Sequence, residues 1–196
     1  MGVKMIYQTQ AAIQRGSVKL KNLVKRAQAG NKEAFITLME EHKQALYKIA
    51  VSMLKNDADA ADALQDTVLS SYENLQGLRQ PEFFKTWLTR ILINHCNRIL
   101  KERGKMVPIY EHPELEEIQV DTSGREFLGL LNQLEDQYRI VLLLYYVEGF
   151  SIKEIGSILE MNENTVKTRL SRGRNSFKKI YLKENPSSAY GMEVQG

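Results

Sequence analysis

Apolar positions recur three and four residues apart through most of this chain, and no run alternates apolar with polar between hairpin turns. The first spacing lines one face of a helix, whereas alternation would mark a half-buried strand. Leu20, Leu23, Val24 and Ala27 predict a helix over about Val18–Ala29, after which Gly30-Asn31 supplies a stop and a new cap. A second helix to about Leu54 carries Phe35, Leu38, Met39, Leu46, Ile49, Ala50 and Met53. A third covers about Ala58–Leu75 and ends near Gly77; Pro81 suits the first turn of a fourth, running to about Glu102. The expected class is all-α.

The periodicity then lapses. Five acids (Glu111, Glu114, Glu116, Glu117, Asp121) and no Lys or Arg occupy 111–121, with Pro108 and Pro113 in or beside them. An acidic, proline-punctuated stretch between helical patterns reads as a flexible linker over 106–124. The expected organisation is an extension over 1–17, a helical domain over 18–105, the linker, a second helical domain over 125–184, and a polar tail over 185–196.

Charge sharpens this picture. The chain carries 27 basic and 24 acidic residues, a net +3, so any pull on a polyanion must come from local segregation. From Glu163 to Lys183 there are seven cations and one anion, or +6. Just before, Phe150-Ser151-Ile152-Lys153-Glu154 has the form of a capping box, with Ser151 and Glu154 each bonding the other's amide. Ile152, Ile155, Gly156 and Leu159 share one face of a short helix. Glu160-Met161-Asn162-Glu163 breaks the pattern, and Asn162 caps a helix whose inner stripe is Val166, Leu170, Gly173 and Phe177. That is the spacing of a helix-turn-helix, although a solvated helix in a helical hairpin would share part of the pattern. Asn164, Lys167, Thr168, Ser171 and Asn175 lie opposite the stripe with Arg172 on its flank, a basic outer face suited to phosphates and base edges.

Two segments of the first half carry further chemistry. Asp59, Asp62 and Asp66 share a helix face with Gln65 nearby, and Asp57 is placed to cap. Carboxylates so spaced can hold a cation or do acid–base work, but no His or Cys stands near them. A ridge that docks on a basic partner, or a plain solvated face, fits better. On the fourth helix Phe84, Leu88, Ile91, Leu92, His95 and Ile99 form one stripe, opposite Trp87, Arg90, Asn94, Asn97, Arg98 and Lys101. Asn and Arg beside aromatics grip unstacked bases, although Trp87 also reads as a core residue at the helix flank. His95 reads as a core histidine and Cys96 as a small buried residue.

With one cysteine the chain can form no internal disulfide, and no segment approaches a membrane span. The N-terminus lacks the apolar run of a signal peptide. A cytoplasmic protein is expected, with no membrane insertion, cofactor, metal or catalytic residue.

Taken together, about residues 18–183 resemble the extracytoplasmic-function (ECF) group of sigma-70 family RNA polymerase sigma factors. The resemblance rests on Asp57–Leu69 with its Gln65-Asp66 pair, and on Phe84-Lys85-Thr86-Trp87-Leu88 followed by Arg90 and Asn94. In the second half it rests on Tyr138-Arg139-Ile140-Val141, Glu148-Gly149-Phe150-Ser151, Glu154-Ile155 and Asn164–Arg172. Where the family often has Gly, this chain has Glu160. The resemblance implies that 18–105 is a sigma-2-like domain and 125–184 a sigma-4-like one. Asp62, Gln65 and Asp66 would dock on the clamp helices of the largest subunit of core RNA polymerase. Trp87, Arg90, Asn94 and Arg98 would face the −10 element, and Asn164, Lys167, Thr168, Arg169, Ser171 and Arg172 the −35 element. Promoter DNA, the polymerase flap and an anti-sigma factor are the other implied partners. The competing readings are a stand-alone helix-turn-helix regulator, a carboxylate enzyme and a DNA-free interaction module. The first leaves the acidic ridge and the aromatic-Asn helix without work. The second lacks a phosphate loop, metal-ligand cluster or nucleophile, and the +6 helix argues against the third.

Overall fold

Three asparagines set the starts of three of the long helices. Asn31 accepts from the Ala34 amide at 2.7 Å, Asn56 from Asp59 at 2.9 Å and Asn162 from Thr165 at 2.8 Å. Each satisfies one of the amides that a first helical turn leaves unpaired. The computed structural model describes residues 16–104 and 128–185. The expected extension up to residue 15, the linker over 106–124 and the tail beyond 185 lie outside these residues.

Within them the chain is all-helical. Helix α1 covers 16–28, α2 Lys32–Leu54, α3 Asp57–Asn74 and α4 Phe84–Arg103. Pro81 opens a 3₁₀ turn, Pro81–Phe83, that leads into α4, so the fourth helix starts three residues later than its proline suggests. The second block holds α5 at 128–132, α6 Asp136–Leu142, α7 Ile152–Ile158 and α8 Glu163–Glu184. Between α6 and the capping box lies a π-helical turn, Leu143–Val147, closed by the Glu148 amide on the Leu143 carbonyl at 3.1 Å. It leaves Tyr145 and Tyr146 on the surface, edge to face at 4.9 Å.

Helices α2, α3 and α4 pack on one another around Leu38, Ile49, Ala60, Ala63, Phe84, Leu88 and Leu92. In the second block Val141, Leu142, Ile155, Val166 and Leu170 form the centre. The two centres belong to one contiguous apolar cluster, with α7 against α4 and α6 against α2. That contact changes the expected faces of α4. Ile91 and His95 are only half-buried, whereas Thr86, Thr89, Ile93 and Cys96 are buried, because the helix is covered from two sides.

The helix-turn-helix is as expected, with both halves of the Ser151–Glu154 capping box present. Its turn runs through Glu160 at φ +53°, a left-handed backbone that costs a non-glycine residue roughly 1–2 kcal/mol. The Met161 amide closes the turn on the Gly156 carbonyl at 2.9 Å. A Cβ on Gly156 would stand 2.8 Å from the Met161 carbonyl oxygen, a backbone atom that cannot rotate away. Gly156→Ala should therefore destabilise this block by about 1–3 kcal/mol. A lowered denaturant midpoint would show it, and an unchanged one would contradict the packing described.

Candidate nucleic-acid interface

Four surfaces follow from this packing. The first is the acidic face of α3, where Asn56 and not Asp57 caps the helix; Asp57 accepts from the Tyr47 hydroxyl at 2.9 Å. Asp62 and Gln65 are exposed. Asp66 is paired with Arg98, and its carboxylate lies 3.9 Å from His95, while Asp59 is paired with Arg103. Asp59, Asp62, Gln65, Asp66, Arg98 and Arg103 line a cleft of about 490 Å³ together with Ile99 and Glu102. The ridge is thus a mixed edge of α3 and α4, acidic at Asp62 and neutralised at Asp66. His95 bonds Ser70 at 2.9 Å rather than sitting wholly in the core. Burial, then the Arg98 charge, lower its pKa against the opposing pull of Asp66. Cys96 is buried as expected, and burial pushes its thiol up to about 12.

The second surface is the outer side of α4. Arg90, Asn94, Asn97, Arg98 and Lys101 are exposed. Trp87 is half-buried and leans on Phe84, ring centroids 5.8 Å apart, so its indole is in part a core group. The third is α8. Asn164, Lys167, Thr168, Ser171 and Arg172 all face solvent, and Thr168 bonds back to the Asn164 carbonyl at 2.8 Å. Arg169 differs from its neighbours: it is half-buried and lines a cavity between the blocks. Gly173 permits the crossing of α6 and α8, since its Cβ would meet Tyr138 and Leu142 atoms at 3.2 Å.

The fourth surface lies between the blocks and was not visible in the sequence. The Lys85 ammonium donates to the Glu148 carbonyl at 2.6 Å, lies 3.6 Å from the Glu148 carboxylate and sits 4.5 Å over the Phe150 ring. The Thr86 hydroxyl donates to Glu154 at 3.0 Å, and Arg90 to Glu160 at 2.6 Å. Burial alone would raise the Glu154 carboxyl. The Ser151 hydroxyl and amide, the Thr86 hydroxyl and the Lys85 charge outweigh it and hold the group below the usual carboxylate range. Lys55, left-handed at φ 51°, reaches Asp136 at 3.6 Å. Beside these contacts is a cavity of about 290 Å³, lined by Ile93, Asn94, Arg139, Ile158 and Arg169 among others. Among the described residues no helix is long and apolar enough to cross a membrane, and no group of His, Cys, Asp and Glu has a metal-binding arrangement.

Comparison with known proteins gives this arrangement its meaning. The family model described as Sigma-70 region 2 matches residues 38–106, and that described as Sigma-70, region 4 matches 124–176. RNA polymerase sigma factor SigV of Bacillus subtilis is 30% identical over 148 residues, covering 72% of this chain and 87% of the relative. The chain belongs to the extracytoplasmic-function group of the sigma-70 family. ECF sigma factor SigW of Bacillus subtilis is 29% identical over 179 residues, 82% of this chain and 95% of the relative. Among solved structures, the sigma factor RpoE of Bartonella quintana, in complex with the anti-sigma factor NepR, is similar with a TM-score of 0.62. It is 25% identical, and the match covers 75% of this chain and 96% of that one. CnrH in complex with the cytosolic domain of CnrY shares the fold at a TM-score of 0.63 and 24% identity, over 83% of this chain and 97% of that one. This sigma factor binds core RNA polymerase and promoter DNA, and it directs transcription initiation as an alternative to other sigma factors.

Proposed function

We propose that the work of initiation is divided among the described surfaces by residue. The sigma-2-like part, 18–105, docks on the clamp helices of the largest polymerase subunit through Asp62, Gln65 and Asp66. Its α4 face, with Trp87, Arg90, Asn94 and Arg98, takes the −10 element and its unstacked bases. The sigma-4-like part, 125–184, contacts the polymerase flap and reads the −35 element through Asn164, Lys167, Thr168, Ser171 and Arg172, with Arg169 freed for phosphate when the blocks separate. The protein acts in the cytoplasm, carries no catalytic residue, and is held in reserve by an anti-sigma factor, as RpoE is bound by NepR. The observation that carries the DNA-reading part of this assignment is the geometry of α8. The outer side of α8 is basic and exposed, while its inner stripe of Val166, Leu170 and Gly173 is buried.

Residues on base edges change sequence preference when altered, whereas phosphate contacts weaken all sequences alike. Holoenzyme binding to matched and scrambled −35 sequences should therefore separate Arg172→Ala from Lys178→Ala. The first should cost about 1–3 kcal/mol on matched DNA alone. The second should weaken both and make the log–log salt slope shallower by about 0.9. Equal losses on both DNAs for Arg172→Ala would remove it from base readout.

A further inference from the structure

We propose that helix α1 is a second nucleic-acid surface, on which Lys21 and Lys25 hold phosphates of the single strand where it runs on past the N-terminal end of α4. This rests on the −10 assignment of α4 under Proposed function and extends it to a helix that has no part in that assignment.

Charge singles out α1. Residues 16–32 hold five cations (Lys19, Lys21, Lys25, Arg26 and Lys32) and no acid, a net +5 against +3 for the whole chain. Helix α2 mixes its signs instead, with Glu33, Glu40 and Glu41 beside Lys43 and Lys48. On α1, Val24 and Ala27 are buried and Leu20 and Leu23 half-buried, so this stripe packs on the block while Lys25 and Arg26 stay exposed. Lys19 pairs with Glu41 at 2.7 Å, on the flank towards α2. At about 100° per residue, Lys21, Lys25 and Gln28 share the other flank.

That second flank lies along the connection from α3 to α4. Gln28 donates to the Leu75 and Leu78 carbonyls at 2.9 and 2.8 Å, and Lys21 lies 3.5 Å from Glu82. The connection ends at Phe83, the cap residue of α4, which is 47% exposed. Phe83, Trp87, Arg90, Asn94 and Arg98 stand three or four residues apart, which places them on one stripe. Phe83 thus prolongs the −10 face towards the two lysines. Single-strand sites combine a cationic track for the backbone with aromatic rings on which bases stack, and both parts meet here. An acidic protein surface would match the lysines, but it would not account for their continuity with the stripe of α4.

Glu82 is the one acid in the connection, residues 75–83. Its own backbone amide lowers its carboxyl first, and the Lys21 charge and the more distant Lys25 charge add to this against a small opposing effect of burial. Lys25 itself holds no ion pair among the described residues. A phosphate arriving between the lysines would take over Lys21 from Glu82, one charge-assisted contact replacing another.

The test compares holoenzymes reconstituted from core RNA polymerase with the wild type, Lys21→Gln/Lys25→Gln, Glu82→Gln or Lys19→Gln. Each is titrated into two fluorescent forked promoter fragments, double-stranded through the −35 element. In the short fork the single strand stops with the −10 element; in the long fork it continues with mixed sequence. At low salt the double variant should bind the long fork about tenfold more weakly than the wild type, and the short fork equally well. Its log–log salt slope on the long fork should be shallower by about 1.4, from roughly 0.7 for each single-strand phosphate. Glu82→Gln should tighten the long fork about threefold, and Lys19→Gln should change neither. Unchanged affinity of the double variant for the long fork would overturn the proposal. So would a loss shared by both forks, or a loss of affinity for core enzyme, since the lysines would then serve the fold or the polymerase. Asn94→Ala separates this from the reading beneath it: it should weaken both forks. If it weakens neither, the −10 assignment of α4 falls, whatever the lysine variant does on the long fork.

Discussion

Reversing Asp62 and Asp66 together to lysine should weaken association with core RNA polymerase at least 30-fold, roughly the 2 kcal/mol that marks an interface hot spot. Asp62 is exposed and Asp66 partly so, and no apolar core residue depends on either. Loss of the Asp66–Arg98 pair should cost at most about 1 kcal/mol of stability, because surface ion pairs are weak. Anisotropy titration of the labelled sigma factor with core enzyme measures the first quantity, and thermal melting the second. Asp62→Lys alone should account for most of the effect, since Asp66 is already neutralised in the free protein. Unchanged affinity in the double variant would remove this face of α3 from the polymerase contact.

The second large effect is expected from a buried residue outside the surfaces proposed for promoter and polymerase. Arg139 has only 1% of its surface exposed. Its Nη1 donates to the Asn132 carbonyl at 3.1 Å and the Leu134 carbonyl at 3.2 Å, and its Nη2 pairs with Asp136. The guanidinium thus ties the end of α5 to the start of α6. Arg139→Ala would leave two carbonyls without partners, at about 1–3 kcal/mol each, together with a cavity. We expect a loss of about 3 kcal/mol, seen as a lower denaturant midpoint. That is a large part of an ordinary domain's 5–15 kcal/mol. Arg139→Lys should recover little, because one ammonium cannot reproduce the planar fork. A loss below about 1 kcal/mol would show that the two helix ends are held by other means.

What could be read from the chain beforehand was local. Asn31, Asn162 and the Ser151–Glu154 box are all within four residues of the amides they satisfy, so sequence spacing alone exposes them. The outer face of α8 follows from 3.6-residue periodicity in the same way. The misplaced cap at Asp57 is an ambiguity between adjacent good cappers, settled by the Tyr47 hydroxyl ten residues earlier. Arg98 and Asp66 were each legible as surface groups, but not as partners 32 residues apart. The contacts of Lys85, Thr86 and Arg90 span 63 to 70 residues, across a linker whose acidic, proline-punctuated composition says nothing of which residues meet. Arg139 gave no sign of burial either, since an arginine in an apolar stretch looks the same whether it snorkels or caps.

The π-helical turn at Leu143–Val147 has a consequence for evolution and design. A π turn takes in one residue more than an α turn would, and each residue advances a helix by about 100°. Rewinding the segment as α-helix at the same length would push that extra residue onward and rotate everything downstream by about that angle. Glu148 would swing away from Lys85, and the Phe150 ring would leave the space beneath its ammonium. The turn is a phase setting: it fixes the azimuth at which α7 and α8 meet the first block. Relatives that wind this segment as plain α-helix at the same length should have to re-tune the contacts between the blocks, even where both blocks keep their own folds intact.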